Sequence, residues 1–348
     1  MNLTKVLTKD REKIPRNEAP MIVNRKETLP LIYGDTPSFL GSKVVDPDEI
    51  ESDFDVIFAG VPWEGTLTWG SYSGCEIAPA EIRTAAARYG GFLPEYEIDL
   101  FDYLRIGDIG DVSIKKNDPA ETMQNIYRSM DKIYKKNVIP FILGGDHSIS
   151  SAVINALSEN VHGNIGVIHF DAHFDNNKSF GEDEYPRCGP IYRISQNPKV
   201  KNSSIVHIAI RGPRNSPAQS AYAKEIGATT FFMHEIRRRG IESIIDEAIK
   251  IASDGTECIY VTICSDCIDA GYNPGGPPDF DGLKPHELFL ALHKLGETGI
   301  AGLDYVEVYP YQDRYARSSH LASWAIIHAL NGLAANKKAV KDSQEKDI

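Results

Sequence analysis

Short apolar runs rich in β-branched residues recur along the chain from Asp55 onward: DVIFAGV, VIPFILGG, IGVIHFD, SIVHIAI, CIYVTIC and GIAGLDYVEV. They are continuous rather than alternating, which marks strands covered on both faces and hence a mostly parallel sheet. Parallel neighbours need long crossovers, and the segments between the runs supply them. APAEIRTAAARY, AETMQNIYRSMDKIYKK, SISSAVINALSE, IESIIDEAIKIAS, KPHELFLALHKLGE and SSHLASWAIIHALNGLAAN all carry helical spacing. With YLRIGDI and ATTFFM added, roughly eight strands are expected, slightly more than a typical sheet holds. The fold class is α/β, with helices on either side of the sheet.

Residues 1–50 are polar and Pro-bearing and read as an arm with little regular structure. Residues 51–335 read as one α/β domain, since neither an internal repeat nor an interdomain linker interrupts them. Residues 336–348 read as a charged, frayed tail. A chain of 348 residues with 42% hydrophobic content can bury a large core. Its net charge of -12 argues against a nucleic-acid or anionic-membrane binder, both of which need a basic surface, and suits a cationic substrate. No apolar run approaches the roughly 20 residues that span a bilayer, and the N-terminus lacks an apolar signal core, so a cytoplasmic location is expected. Five cysteines form no disulfide framework, but Cys258, Cys264 and Cys267 crowd into ten residues.

In open α/β sheets, ligand groups gather where strands end. ILGGDHS leaves its strand through two glycines to Asp146 and His147. VIHFDAHFDN places His169, Asp171, His173 and Asp175 at alternate positions, so all four are expected on one side of the strand end, with Phe170, Ala172 and Phe174 on the other. VTICSDCIDAGYNPGGPPD adds Cys264, Asp266 and Asp269 before a Gly/Pro loop. Any one of these is ordinary, since an Asp at a strand exit often only caps a helix. Together they converge several carboxylates that repel unless a cation offsets them, so a metal site is expected.

GGDHS, DAHFD and the segment around Asp266, in this order, resemble the ureohydrolase family of arginase and agmatinase; GVPWEG, IAIRG and GLDYVEVYP add to the likeness. The resemblance spans about residues 55 to 330 and implies a three-layer α/β/α sandwich, assembled as trimers or hexamers. It implies two divalent ions, with manganese expected: one on His147, Asp171 and Asp175, the other on His173 and Asp266, with Asp171 bridging. Such a pair lowers the pKa of bound water, making a nucleophile available near neutral pH. Attack on a guanidino carbon then releases urea and an amine. Asp269 matches an acid that assists proton transfer, Glu307 matches the carboxylate that holds the guanidinium, and Asn176 and Trp69 are expected beside the substrate.

The chain departs from the family pattern at two site positions. Cys264 stands where a bridging Asp is usual, and Cys188, in the segment GEDEYPRCGPIYR, stands where a catalytic His is usual. Three readings remain open. Cys264 ligates as a thiolate and favours nickel, zinc or iron; one metal site is lost; or Cys264 and Cys188 form a redox pair, which needs Cα atoms within about 7 Å. Trp69 suits a cation–π contact, Glu182, Asp183 and Glu184 could attract a cationic tail, and Arg187 and Arg211 could meet a carboxylate. The expected activity is an agmatinase-like hydrolysis of a small cationic guanidino compound by a homo-oligomer. The alternatives are a formimidoylglutamase-type hydrolase, and a silent or regulatory subunit in a hetero-oligomer with an active homologue.

Overall fold

The computed structural model describes residues 31–65 and 73–346. Nine strands form its main sheet: β1 (Lys43–Val44), β2 (Val56–Gly60), β3 (Ile106–Asp111), β4 (Ile139–Leu143), β5 (Ile165–Phe170), β6 (Val200–Ile210), β7 (Thr229–Phe232), β8 (Cys258–Cys264) and β9 (Gly302–Val306). Their spatial order is β7-β6-β5-β8-β9-β4-β2-β3-β1, and every pairing is parallel. Eight strands are those read from the apolar runs. The ninth, β1, comes from the segment expected to be an irregular arm, where Phe39 is also fully buried against the domain. Two exposed residues carry no apolar signal, so β1 is invisible to pattern reading.

The helices are α1 (Ala78–Ala86), α2 (Pro119–Lys135), α3 (Ser150–Glu159), α4 (Pro190–Ser195), α5 (Pro217–Glu225), α6 (Met233–Arg239), α7 (Ile241–Ser253), α8 (Pro285–Thr298) and α9 (Arg317–Lys346). In α2 the Asp118 carboxylate accepts the Glu121 N–H at 2.9 Å, Pro119 opens the first turn, and Met123, Ile126, Met130 and Ile133 form the buried stripe. Strand residues divide by parity. Val56, Phe58, Phe141, Val261 and Leu303 face a core made with α1, α7, α8 and α9, while Ile57, Ala59, Ile142, Val167 and Tyr260 face one made with α2, α3 and α4. This is a three-layer sandwich. Each fully buried Phe or Leu contributes about 1.5–3 kcal/mol through the area it removes from water. The charged tail continues α9 to Lys346 instead of fraying, and Lys337 on that helix sits 3.1 Å from both Asp55 oxygens.

The central strands end at one level. Phe170 pairs with Ile263, Cys264 with Val306, and Tyr305 with Leu143, so β5, β8, β9 and β4 deliver their exits side by side.

Candidate metal centre

Each of those four exits carries a polar group. From β4 the chain turns through Gly144 and Gly145, and a Cβ on Gly145 would overlap the Trp63 carbonyl. Asp146 then caps the next turn, accepting the Ser148 N–H at 3.0 Å, and also clasps the Gly65 N–H at 2.6 Å. His147 follows, fully buried. Its Nδ1 lies 3.1 Å from Asp171 Oδ2 and 3.0 Å from Asp175 Oδ2.

Strand alternation is not what gathers the second group. β5 ends at Phe170, and Asp171 to Asn176 form a loop tied down by Asn215, which accepts the Phe174 N–H at 3.1 Å and donates to the Ala172 carbonyl at 2.9 Å. Asp175 occupies the left-handed region at φ 44°, which Asp tolerates better than most residues. His169 remains inside the strand, its Nε2 against Asp171 at 3.0 Å and its Nδ1 against His207 at 2.9 Å, so it orients Asp171 from behind. His173 Nδ1 lies 3.3 Å from Asp171 Oδ1 and 3.1 Å from Asp266 Oδ2. Its Nε2 lies 3.4 Å from Asp279, a residue the sequence reading passed over.

Two ligand groups result, and they share Asp171. In one, the ligand atoms of His147, Asp171 and Cys264 lie within 4.8 Å of one another; in the other, those of Asp171, His173 and Asp266 do. Burial opposes charge on Asp171, but contacts from His147, His169 and His173 hold its carboxyl well below the usual range. Burial would lower His173, yet Asp266 and Asp171 hold it up to about 11 when no cation is present. Burial pushes the Cys264 thiol well up, with Asp171 and Asp266 adding to the effect.

The residues fit divalent ions. Thr262 gives its single proton to Asp304 at 2.6 Å, so His147 Nε2 must donate to Thr262 Oγ1 at 2.9 Å. This leaves Nδ1 aimed at Asp171 and Asp175. Against the opposing effect of burial, their carboxylates hold the ring's pKa well above its ordinary value, so the position favours a positive charge, carried by a proton or by a metal ion that replaces it. His147 Nδ1 and Asp266 Oδ2 are both buried without a hydrogen-bond partner among the described residues. Carboxylates and imidazole nitrogens converging in this way suit a divalent cation, which takes the place of the imidazole protons. Thr262→Val keeps the shape and removes the hydroxyl; metal affinity is expected to fall about 10- to 100-fold in chelator competition.

The other expected residues differ in their surroundings, and Cys188 lies close enough to Asp175 for that carboxylate to add to burial in raising its thiol pKa. Asp269 accepts the Gly271 N–H at 2.8 Å on one oxygen and the Asp281 N–H at 2.5 Å on the other, so both oxygens bind the backbone of the Gly/Pro loop. Asn176 is buried and donates to the Gln219 carbonyl at 2.9 Å, while its Oδ1 has no partner among the described residues. Cys188 accepts from Asn177 at 3.4 Å, and burial pushes its thiol up to about 11. All five cysteines are free thiols. Arg211 spends its donors on carbonyls of Ala209, Asp266, Phe280 and Asp279, and therefore braces the loop rather than meeting a substrate. Trp69 lies outside the described residues. Glu182, Asp183 and Glu184 line a surface hollow of about 570 Å³ with Asn117–Ala120, not the metal cluster.

Glu307 stands beside His147, accepting its backbone N–H at 2.8 Å. It sits at φ 62°, an unusual conformation for Glu that costs about 1–2 kcal/mol and aims the carboxylate inward from the end of β9. Burial raises its pKa to about 7 against the pull of Arg187. Glu64, Cys75, Arg187 and Tyr309 complete this second chamber. Glu64 lies within the quoted GVPWEG and Tyr309 within GLDYVEVYP, but nothing local marked their convergence.

No helix among the described residues is long and apolar enough to cross a membrane. A model of the Arginase family matches residues 54–331. The formimidoylglutamase of Bacillus subtilis is 31% identical over 271 residues, covering 76% of this chain and 83% of that protein. The guanidinopropionase of Pseudomonas aeruginosa is 29% identical over 253 residues, covering 72% and 78%. The structure of proclavaminate amidinohydrolase from Streptomyces clavuligerus superposes with a TM-score of 0.80 at 26% identity, covering 87% of this chain and 99% of that one. With the sheet, the ligand-bearing strand exits and these matches in agreement, the chain belongs to the arginase family, hydrolases that act on C–N bonds of linear amidino and guanidino compounds.

Proposed function

We propose that this protein hydrolyses a guanidino compound without an α-amino acid head, releasing urea and an amine. One observation carries the reading: beside the shared-Asp171 ligand groups lies a chamber of carboxylates that already holds a guanidinium, that of Arg187, with Glu307 Oε2 at 3.0 Å and Glu64 Oε1 at 3.2 Å. A chamber that satisfies one planar, forked cation suits another.

His147, Asp175, Cys264 and Asp171 would hold one divalent ion, and His173, Asp266 and Asp171 a second. When bound, such ions supply Lewis-acid activation of water near neutral pH. Cys264 favours zinc, nickel or iron over manganese at the first position, because thiolate is a softer ligand than carboxylate. Glu307 orients the guanidino group, and the Tyr309 hydroxyl, donating to Glu307 at 2.6 Å, fixes the carboxylate for that task. Asp279, whose carboxylate is paired with Arg214, lies 3.4 Å from the outer nitrogen of His173 and adds negative charge beside that ring. Assembly into homo-trimers or hexamers belongs to the same reading and is measured by light scattering.

The test loads the full chain separately with Mn²⁺, Ni²⁺, Zn²⁺ or Fe²⁺, counts ions per chain by elemental mass spectrometry, and assays urea release from agmatine, guanidinobutyrate and free guanidine. About two ions per chain with urea release are expected. Each ion at a free concentration 100 times its Kd should add about 2.7 kcal/mol of stability, read as a rise in Tm that a chelator reverses. The formimidoylglutamase relatives favour one other substrate, formimidoylglutamate, whose hydrolysis yields formamide and glutamate without urea. At most one ion under every loading, with no product from any substrate, would instead indicate a silent subunit.

A further inference from the structure

Arg187 comes from the loop between β5 and α4, and its side chain is 3% exposed. Nη1 donates to Glu307 Oε2 at 3.0 Å and to the Tyr309 hydroxyl at 3.0 Å, Nη2 donates to Glu64 at 3.2 Å, and Asp146 lies 3.8 Å away. Its guanidinium carbon lies 6.0 Å from the centre of the Tyr309 ring. The group therefore sits where the proposed function places the substrate's guanidino group, on the carboxylate next to His147. The two cannot share Glu307 Oε2.

We propose that Arg187 is a resident guanidinium that the substrate displaces by exchange of ion pairs, so that the site selects guanidino compounds bearing an anionic tail. This deepens the guanidino reading and rests on it. Pulling a buried arginine off its carboxylates leaves a cation without a partner, a cost of several kcal/mol unless another anion receives it. A substrate whose tail ends in a carboxylate gives its guanidinium to Glu307 and its carboxylate to Arg187, and every charge stays paired. A substrate with an ammonium tail, such as agmatine, brings a second cation toward the displaced arginine and is disfavoured.

The experiment uses the metal-loaded full chain, Arg187→Ala and the conservative Arg187→Lys. Removing the arginine leaves its carboxylates facing a guanidinium-shaped space, so Arg187→Ala should melt lower than wild type. Millimolar methylguanidinium chloride should recover most of that Tm, whereas equal tetramethylammonium chloride or urea should not, and wild type should not respond. In turnover, wild type should prefer guanidinobutyrate over agmatine in kcat/KM by about tenfold or more. Arg187→Ala should erase the preference, chiefly by lowering KM for agmatine. If Arg187→Ala does not fold, Arg187→Lys carries the same test, since it keeps the charge but loses the fork; its preference should weaken and methylguanidinium should still raise its Tm.

Equal methylguanidinium responses in wild type and variant, or an unchanged substrate preference, would overturn the proposal. Thermal rescue needs no turnover, so the two readings fail separately. Rescue without urea release from any protein or substrate removes the guanidino-hydrolase reading, and the exchange with it, while showing that the chamber binds guanidinium. Urea release without rescue removes the role of Arg187 alone.

Discussion

Asp171→Asn empties both ligand groups at once, lowering metal content from about two ions per chain to less than one and amidine hydrolysis by about three orders of magnitude. The geometry forces the double loss, because Oδ2 of Asp171 faces His147 at 3.1 Å and Oδ1 faces His173 at 3.3 Å. No other carboxylate is common to the two groups. Asn keeps one oxygen for the His173 N–H, which Asp171 accepts at 2.6 Å, so the loop should hold its course. The NH₂ that replaces the second oxygen is a poor metal ligand and presents a donor where a lone pair is needed. Elemental analysis and urea assay on the same preparation check this, with circular dichroism to show that the fold persists. A variant that retains two ions and full activity would move the centre of the site away from Asp171.

Cys264→Asp should invert metal choice rather than abolish binding. The Cys264 sulfur lies in the group with His147 and Asp171, at the end of a strand buried on both faces. As a thiolate it gives that position borderline-soft character; as a carboxylate it gives the all-oxygen and imidazole set that manganese accepts. The ratio of Zn²⁺ to Mn²⁺ affinity should fall by about 100-fold, equivalent to about 2.7 kcal/mol, in chelator competition. Cobalt-loaded wild type should show a near-ultraviolet sulfur-to-metal charge-transfer band that is missing from the variant. An unchanged affinity ratio and no such band would make Cys264 a packing residue, and urea release that rises steeply with Mn²⁺ in the variant would then mark the native site as degenerate.

Much of this architecture was legible in the sequence. The apolar runs located eight of the nine strands of the main sheet, because double-sided burial favours apolar residues along the whole of a strand. The edge strand Lys43–Val44 escaped, since an exposed two-residue strand imposes nothing. The ligand-bearing segments were legible for a related reason: polar groups at the ends of apolar runs stand out, and parallel strands carry their ends to one edge. His147, Asp171, His173, Asp175, Cys264 and Asp266 do come together, although loop geometry at Asp175 brings about what strand alternation was expected to do. Asp269 and Asp279 show the limit. Both lie in one Gly/Pro-rich stretch, and only the folded path of that stretch turns Asp279 toward His173 while Asp269 holds the loop together.

The sequence by itself determined the layers, the sheet, and which strand exits bear metal-ligating groups, because burial and periodicity act on neighbouring residues and leave their mark locally. Tertiary structure alone decided that Arg187 rests on Glu307, 120 positions away, and that Thr262 fixes the tautomer of His147, 115 positions away. Those pairings depend on strand order and register, and on how far a long side chain reaches from its loop. A hydrogen bond constrains distance in space and places no constraint on the residues beside its partners in the chain.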